Sequence, residues 1–401
     1  MNKLKSILFI LSFYLIFIIV KFLTLLFTVT QIKRWFPRKN KSVLYLENFP
    51  IENAGYQYRA KKWSDILNKN GYFSIVKTTI KDKPKFERLI SKQFSYFLIR
   101  SSAIRLFQIL NSFKYATIVV RRELLQYNDY GNLFMEKLLF SIHKNVILDF
   151  DDDIASAKNE GHAISFFGEI LMEDTKKFSH SIALYNKFFV CSEWHINFIK
   201  SKNTTALITI IPTCVDYDSA KTKKYAPLHN NTLNIGWIGS VGNQKHLELI
   251  IEPLNNISDS TKVILHVISG KPYKNINAKF KIKNYKWRMD TQIQNMLNFD
   301  VGVMPLKLTK VIDGKCGFKL LQYMGLGIVS IASAIGVNKE IITHGINGYL
   351  IYSNNEWETI FQEINNNKHK LVNMGKNAKK IILEQYSFLP NTTIYINFIS
   401  K

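Results

Sequence analysis

The sequence predicts an α/β protein made of two open parallel sheets, each carrying ligand loops at the carboxyl ends of its strands. Three observations support this. Runs of β-branched and aromatic residues recur along the chain, separated by helical patterns. Glycine-bearing turns follow several of those runs. The 401 residues also exceed what a single hydrophobic core usually organises.

The first domain opens with VLYLENF (43–49) as a strand, and the helical stretch KKWSDILNKNG after it is closed by Gly71. ATIVVRR (116–122), NVILDFDDD (145–153), FFVCSEW (188–194) and LITIIPTCVD (207–216) read as later strands of the same sheet, with a helix from His195. The polar run Asp218 to Asn231 reads as a linker. A second sheet then takes LNIGWIGS (233–240), VILHVISG (263–270), FDVGVMPL (299–306) and IVSIASA (328–334). The expected organisation is an apolar N-terminal segment and basic flank (1–40), a first Rossmann-like domain (41–228) and a second Rossmann-like domain (229–385). A C-terminal segment (386–401) is expected to pack back toward the first domain, and the two domains to face one another across a cleft.

From Ser6 to Thr30 the chain is nearly all apolar, interrupted only by Lys21. That length suits a helix crossing a bilayer, with Lys21 snorkelling, or one lying partly in the interface. It is too long for a signal-peptide core, and no small-residue cleavage site follows. Lys33, Arg34, Arg38, Lys39 and Lys41 come after it, against Lys3 and Lys5 before it. This asymmetry predicts a single-pass transmembrane helix in the inner membrane, with the soluble domains in the cytoplasm. The basic flank is then placed to lie on anionic headgroups.

An apolar fraction of 47% with 13% aromatics indicates packed globular structure. The net charge of +24 raises the question of nucleic acid. Lysine carries most of it, no arginine-rich cluster interleaves with aromatics, and the cysteines and histidines fit no zinc spacing. Anionic membrane and phosphorylated ligands are therefore the expected partners, and nucleic acid is not.

Three constellations bear chemistry. In Asp313–Leu350 a glycine-rich loop enters a helix on which Lys319 and Gln322, three apart, share a face. Backbone amides at such a loop suit the phosphates and ribose of a nucleotide. The turn GSVGNQKHLELI places Gly239, Ser240 and Lys245 at the start of another helix, where a diphosphate fits. No acid follows at dinucleotide spacing, and GKC (314–316) lacks the Ser/Thr of a phosphate-binding P-loop. In DFDDD (149–153), adjacent acids at a strand end read either as a base or metal partner, or as a helix cap in a solvated turn. Beside these, Gly55 leaves room for a ligand, Arg59 reads as a phosphate contact or a surface salt bridge, and Trp287 with Arg288 as a flank for a nucleobase.

Taken in order, IGWIGSVGNQKHLELI, FDVGVMPL, GKCGFKLLQYMGLGIVSIAS and IGVNKEIITHGINGYL resemble the family-4 retaining glycosyltransferases (glycosyl transferases group 1), which have the GT-B fold. IIPTCVD and FFVCSEW extend the resemblance, more weakly, into the first half. It implies that the amides near Gly317 and Phe318 face the diphosphate and sugar of a nucleotide-sugar donor. Gln322 stands where a ribose-binding glutamate is usual, and Gly314 where a second acid is usual. Lys319 takes a basic position facing the diphosphate, and Gly239, Ser240, Lys245 and Trp287 complete the donor side. Asp151 and Asp152 replace a His-Asp pair facing the acceptor, with Asp151 as base or orienting group and Gly55 and Arg59 alongside. The implied reaction is sugar transfer with retention to a lipid-linked or cell-envelope glycan, with no metal or other cofactor required. The alternative is a catalytically weakened relative that binds nucleotide sugar or scaffolds glycan assembly, as Gly314 and Gln322 suggest.

Overall fold

In the computed structural model the described residues are 3–30, 38–82, 94–125, 132–152, 175–218, 220–225, 232–307 and 314–401. Asp153, Asp313 and most of the expected linker after Tyr225 lie outside them. The chain divides into two compact units, Met1–Ile211 with Ile394–Lys401, and Pro212–Thr393.

Unit 1 holds a six-stranded sheet: β1 (Lys39–Glu47), β2 (Phe73–Thr78), β3 (Tyr115–Arg121), β4 (Val146–Asp149), β5 (Lys187–Val190) and β6 (Leu207–Ile210). The order is β2-β1-β3-β4-β5-β6 and every pairing is parallel. Strands covered on both faces need continuous apolar runs rather than alternation, which is why VLYL and IVV read so clearly. The strands containing DFDDD and LITIIPTCVD end earlier than expected, at Asp149 and Ile210. Pro212, which has no amide hydrogen to donate, stands just beyond the second of these ends. Within Ile394–Lys401, Tyr395 stacks between Trp63 (centroids 4.0 Å apart) and Phe189 (4.3 Å), and its hydroxyl meets that of Tyr45 at 2.6 Å.

The apolar N-terminal segment forms one helix, Lys3–Thr30. Among the described residues no helix is long and apolar enough to cross a membrane. Instead, the helix lays one face on unit 1. Val20 and Phe27 are buried in its core, and Phe17 stands edge-on to Phe134 at 5.5 Å.

Unit 2 holds β7 (Thr232–Ile238), β8 (Lys262–Ser269), β9 (Lys281–Lys286), β10 (Val301–Met304), β11 (Val329–Ser333) and β12 (Gly348–Ile351). The order is β12-β11-β10-β7-β8-β9, again all parallel. Trp237, Leu265, Val301, Ile331, Trp357 and Phe361 fill its core. The direction in which successive strands are added reverses between β7 and β10, and in unit 1 between β1 and β3. At such a switch point the connections leave on opposite faces and open a crevice at the strands' carboxyl ends.

Candidate functional site

The switch point of unit 2 collects the predicted donor residues. β7 ends at Ile238, and Gly239 turns the chain toward the 3-10 helix Val241–Ile250. A Cβ at Gly239 would lie 2.6 Å from the Trp237 ring and 2.9 Å from Lys319 Cε, so the missing side chain makes room for that lysine. Lys319 Nζ lies 5.7 Å from the centroid of the buried Trp237 ring, a cation–π approach that holds the ammonium beside the turn. Ser240 precedes the short helix, and its hydroxyl accepts from Asn243 Nδ2 at 3.0 Å.

From β10 the chain reaches the helix Phe318–Gly325. Gly317 immediately before it sits at φ +61°, in the left-handed region. A Cβ there would also fall 2.6 Å from Ile341 Cδ1, so the position demands glycine twice over. The left-handed turn aims the start of the helix, with Phe318 and Lys319, at the end of the sheet, where its dipole is positive. Tyr323 locks this orientation: its buried hydroxyl accepts from Ile238 N at 2.9 Å and donates to Val303 O at 3.4 Å.

His246 records the field of this region. Burial comes first, and Lys315, Lys319, Lys245 and Lys307 add to it, lowering its pKa to about 4. The ring is therefore neutral at physiological pH, and its buried Nδ1 has no hydrogen-bond partner among the described residues. The charge of four lysines thus converges on a neutral imidazole. Lys319 and Lys245 were legible in the sequence. His246, Lys307 and Lys315 were not, because nothing in their spacing marks them, and the fold alone draws them together.

Gln322 does not share an exposed face with Lys319. It is 3% exposed, and its Nε2 lies 3.4 Å from Gln292 Oε1. That same oxygen accepts from Trp287 Nε1 at 3.1 Å. Where the resemblance implies a carboxylate for the ribose, the chain builds an uncharged amide pair attached to Trp287. Gln292, on the short helix after β9, is a member no motif announced. Arg288, by contrast, pairs with Asp290 in solvent, so Trp287 keeps its place without it.

At the switch point of unit 1, acids and arginines alternate. Arg59 is 1% exposed, its guanidinium pairs with both carboxylate oxygens of Asp149, and Nη1 donates to Ile211 O at 2.5 Å. Neither a phosphate contact nor a surface salt bridge describes it. It is a buried strut between β4 and the end of β6, its donors consumed within the unit. Asp151 pairs with Arg121 and, at 3.4 Å, with Arg122 Nη2. Burial would raise its carboxyl, but Arg121, Arg122 and Arg59 outweigh burial and hold it well below the usual carboxylate range. That suits an orienting group and argues against a base, which needs a proton affinity near working pH.

Asp152 pairs with Arg122 at the more exposed edge of the network. Gly55 donates its amide to Asn53 Oδ1 at 2.7 Å, and a Cβ there would stand 3.0 Å from that oxygen. Its missing side chain serves this turn. Two further groups went unseen in the sequence. Glu47 ends β1 fully buried, with Oε1 accepting from the Asn48 and Phe49 amides. Its Oε2 has no hydrogen-bond partner among the described residues, and burial pushes its carboxyl up despite the opposing Arg121. Arg121, from β3, is the hub that both Asp149 and Asp151 face.

Residues 232–367 match the family model described as glycosyl transferases group 1. Over that span the chain is similar to the group 1 glycosyltransferases. The matched span covers the lysine cluster, the Gly239 turn and the helix carrying Lys319 and Gln322. No curated protein matches the chain in sequence.

Solved structures do resemble it. HepE of Anabaena, in complex with UDP and glucose, superposes with a TM-score of 0.64 at 14% identity, covering 90% of this chain and 100% of that one. Sucrose-phosphate synthase of Thermosynechococcus elongatus gives 0.63 at 12% identity, with 90% and 100% covered. A glycosyltransferase of Rickettsia africae gives 0.61 at 12%, with 90% and 98% covered. At such identities the likeness establishes the fold, which is GT-B.

Proposed function

We propose that the protein is a group 1 glycosyltransferase that moves a sugar, with retention, from a nucleotide-diphosphate sugar to a lipid-linked or cell-envelope glycan at the cytoplasmic face of a membrane. The observation that supports this best is the cluster of Lys245, Lys307, Lys315 and Lys319 around neutral His246 at the unit 2 switch point. A diphosphate is attracted by the positive field of these lysines and gains negative charge as the glycosidic bond breaks. Cations and helix amides aimed at the leaving group therefore stabilise the transition state more than the ground state. The Lys319 ammonium and the amides at Phe318 take the diphosphate, and the Gln322–Gln292 pair with Trp287 takes the ribose and base. HepE binds UDP and glucose on the same fold, which makes UDP-sugars the first donors to try. Membrane attachment rests on the apolar helix Lys3–Thr30 and its basic flank.

The test is release of UDP, GDP or ADP from the corresponding sugars by the full chain in membrane extract, compared with Lys319→Ala. Turnover with one donor, lost in the variant, supports transfer. Saturable nucleotide binding without turnover in any extract supports the second reading, a nucleotide-sugar-binding relative, which the uncharged Gln322 favours. Absence of nucleotide binding overturns both.

A further inference from the structure

The helix Lys3–Thr30 has two apolar stripes, and unit 1 covers only one of them. At about 100° per residue, Ile16, Val20, Leu23 and Phe27 fall on one face, and these pack into the core. Leu11, Tyr14, Leu15, Ile18, Phe22, Leu25 and Val29 fall on the opposite face, and all are exposed. The adjoining helix Phe94–Leu110 adds its own outward stripe, with Tyr96 and Phe107 at 57% and 68% exposure. A soluble surface rarely leaves so many large apolar side chains contiguous.

The polar atoms of the helix are arranged for an apolar medium. Ser12, Thr24, Thr28 and Thr30 each donate their hydroxyl to the carbonyl four residues back, at 2.6–2.8 Å. No hydroxyl hydrogen on them needs water. Lys21 folds its ammonium over the Phe17 ring at 4.6 Å, at the flank of the exposed stripe, as a snorkelling lysine does. Near the carboxyl end Phe27 packs on Phe113 at 5.3 Å. Next to Phe113, Lys114 accepts at its carbonyl from the Lys39 amide at 2.9 Å, and Arg38 and Lys41 flank Lys39. A basic collar therefore borders the apolar face.

Resting on the membrane reading above, we infer that this helix lies in the plane of a single anionic lipid leaflet and does not cross it. Its exposed stripe, with Tyr96 and Phe107, enters the acyl boundary, and Arg38, Lys39, Lys41 and Lys114 meet the headgroups. Crossing would strip Phe17 from Phe134 and Phe27 from Phe113 and open the core around Val20. In-plane seating keeps those contacts and covers the exposed apolar stripe. It also holds unit 1 against the surface from which a lipid-borne acceptor projects.

The test uses the full chain with vesicles of phosphatidylcholine alone and with one-third phosphatidylglycerol. Spin labels are placed at Leu11→Cys, Ile18→Cys and Leu25→Cys, the native cysteines being buried. Equal immersion depth at all three sites, with tighter binding to the anionic vesicles, is expected. A helix crossing the bilayer would spread the outer two by about 21 Å. Phe107→Ser, outside the helix, is expected to weaken vesicle binding about threefold or more, and Ile18→Asp with Phe22→Asp about tenfold or more. Both variants should keep the wild-type melting temperature. Graded depths, or an inert Phe107→Ser, overturn the in-plane seat and leave membrane attachment standing. Lack of affinity for either vesicle removes the membrane reading itself.

Discussion

Asp151→Asn separates a carboxylate that holds structure from one that takes a proton. The wild-type carboxylate is 14% exposed and faces Arg121, itself 2% exposed, and Arg122. Removing one charge of a buried pair strands the other, at a cost of about 3–5 kcal/mol, and asparagine keeps one acceptor oxygen, so about 3 kcal/mol is the appropriate figure. A domain the size of unit 1 loses roughly 2–4 °C of melting temperature per kcal/mol, so its transition should fall by about 6–12 °C. Calorimetry of the variant with and without UDP reads this, since the nucleotide shifts only the unit that binds it. Turnover measured well below the lowered transition should drop less than tenfold. General-base catalysis contributes about 10²–10⁴ in rate. An unchanged transition together with a hundredfold loss of turnover would therefore refute the structural role and make Asp151 the base.

Lys319→Ala should weaken UDP binding about 10- to 100-fold, the worth of one charge-assisted contact to phosphate; calorimetric titration checks it, and equal affinity would dismiss the lysine cluster as the diphosphate site. Gly317→Ala must adopt a left-handed φ and crowd Ile341, costing about 1–2 kcal/mol and about 1–3 kcal/mol respectively. Denaturant titration of unit 2 should show their sum, and a neutral result would mean that the turn relaxes. Glu47→Gln should stabilise unit 1 at pH 8 and act less at pH 5. The folded carboxyl is raised, so its stabilising contribution is present below the unfolded pKa and lost as pH rises through the folded one. A variant less stable than wild type at pH 8 would show that the ionised group helps the fold.

Most strands legible in the sequence lie inside their sheets; the edge strand Leu207–Ile210 was legible too, because every residue of LITI is β-branched or apolar. VLYL, IVV, NIGWI and VSIAS run through the interiors of their sheets, where both faces are covered and the chain must be apolar throughout. Phe73–Thr78, Lys281–Lys286 and Gly348–Ile351 escaped the reading, and all three are edge strands. An edge strand has a neighbour on one side only and admits lysine, serine and glycine, so its residues need not give a continuous signal.

The sequence by itself determined what local chemistry dictates: two parallel α/β units, the glycines at Gly239 and Gly317, and the cationic position of Lys319. Those properties depend on neighbours a few residues away and on which side chains suit a doubly covered sheet. Tertiary structure alone decided who neutralises whom. Asp151 is read as an acid until Arg121, thirty residues earlier, arrives beside it. Arg59 is read as a ligand contact until Asp149 consumes it. His246 carries no message until four lysines from three segments surround it. Charge interactions act through space and weaken with desolvation and distance, and both are settled only when the sheets assemble. The N-terminal helix shows the same division: its apolar content was plain from the sequence, and the packing of one face on unit 1 decided which side stays exposed.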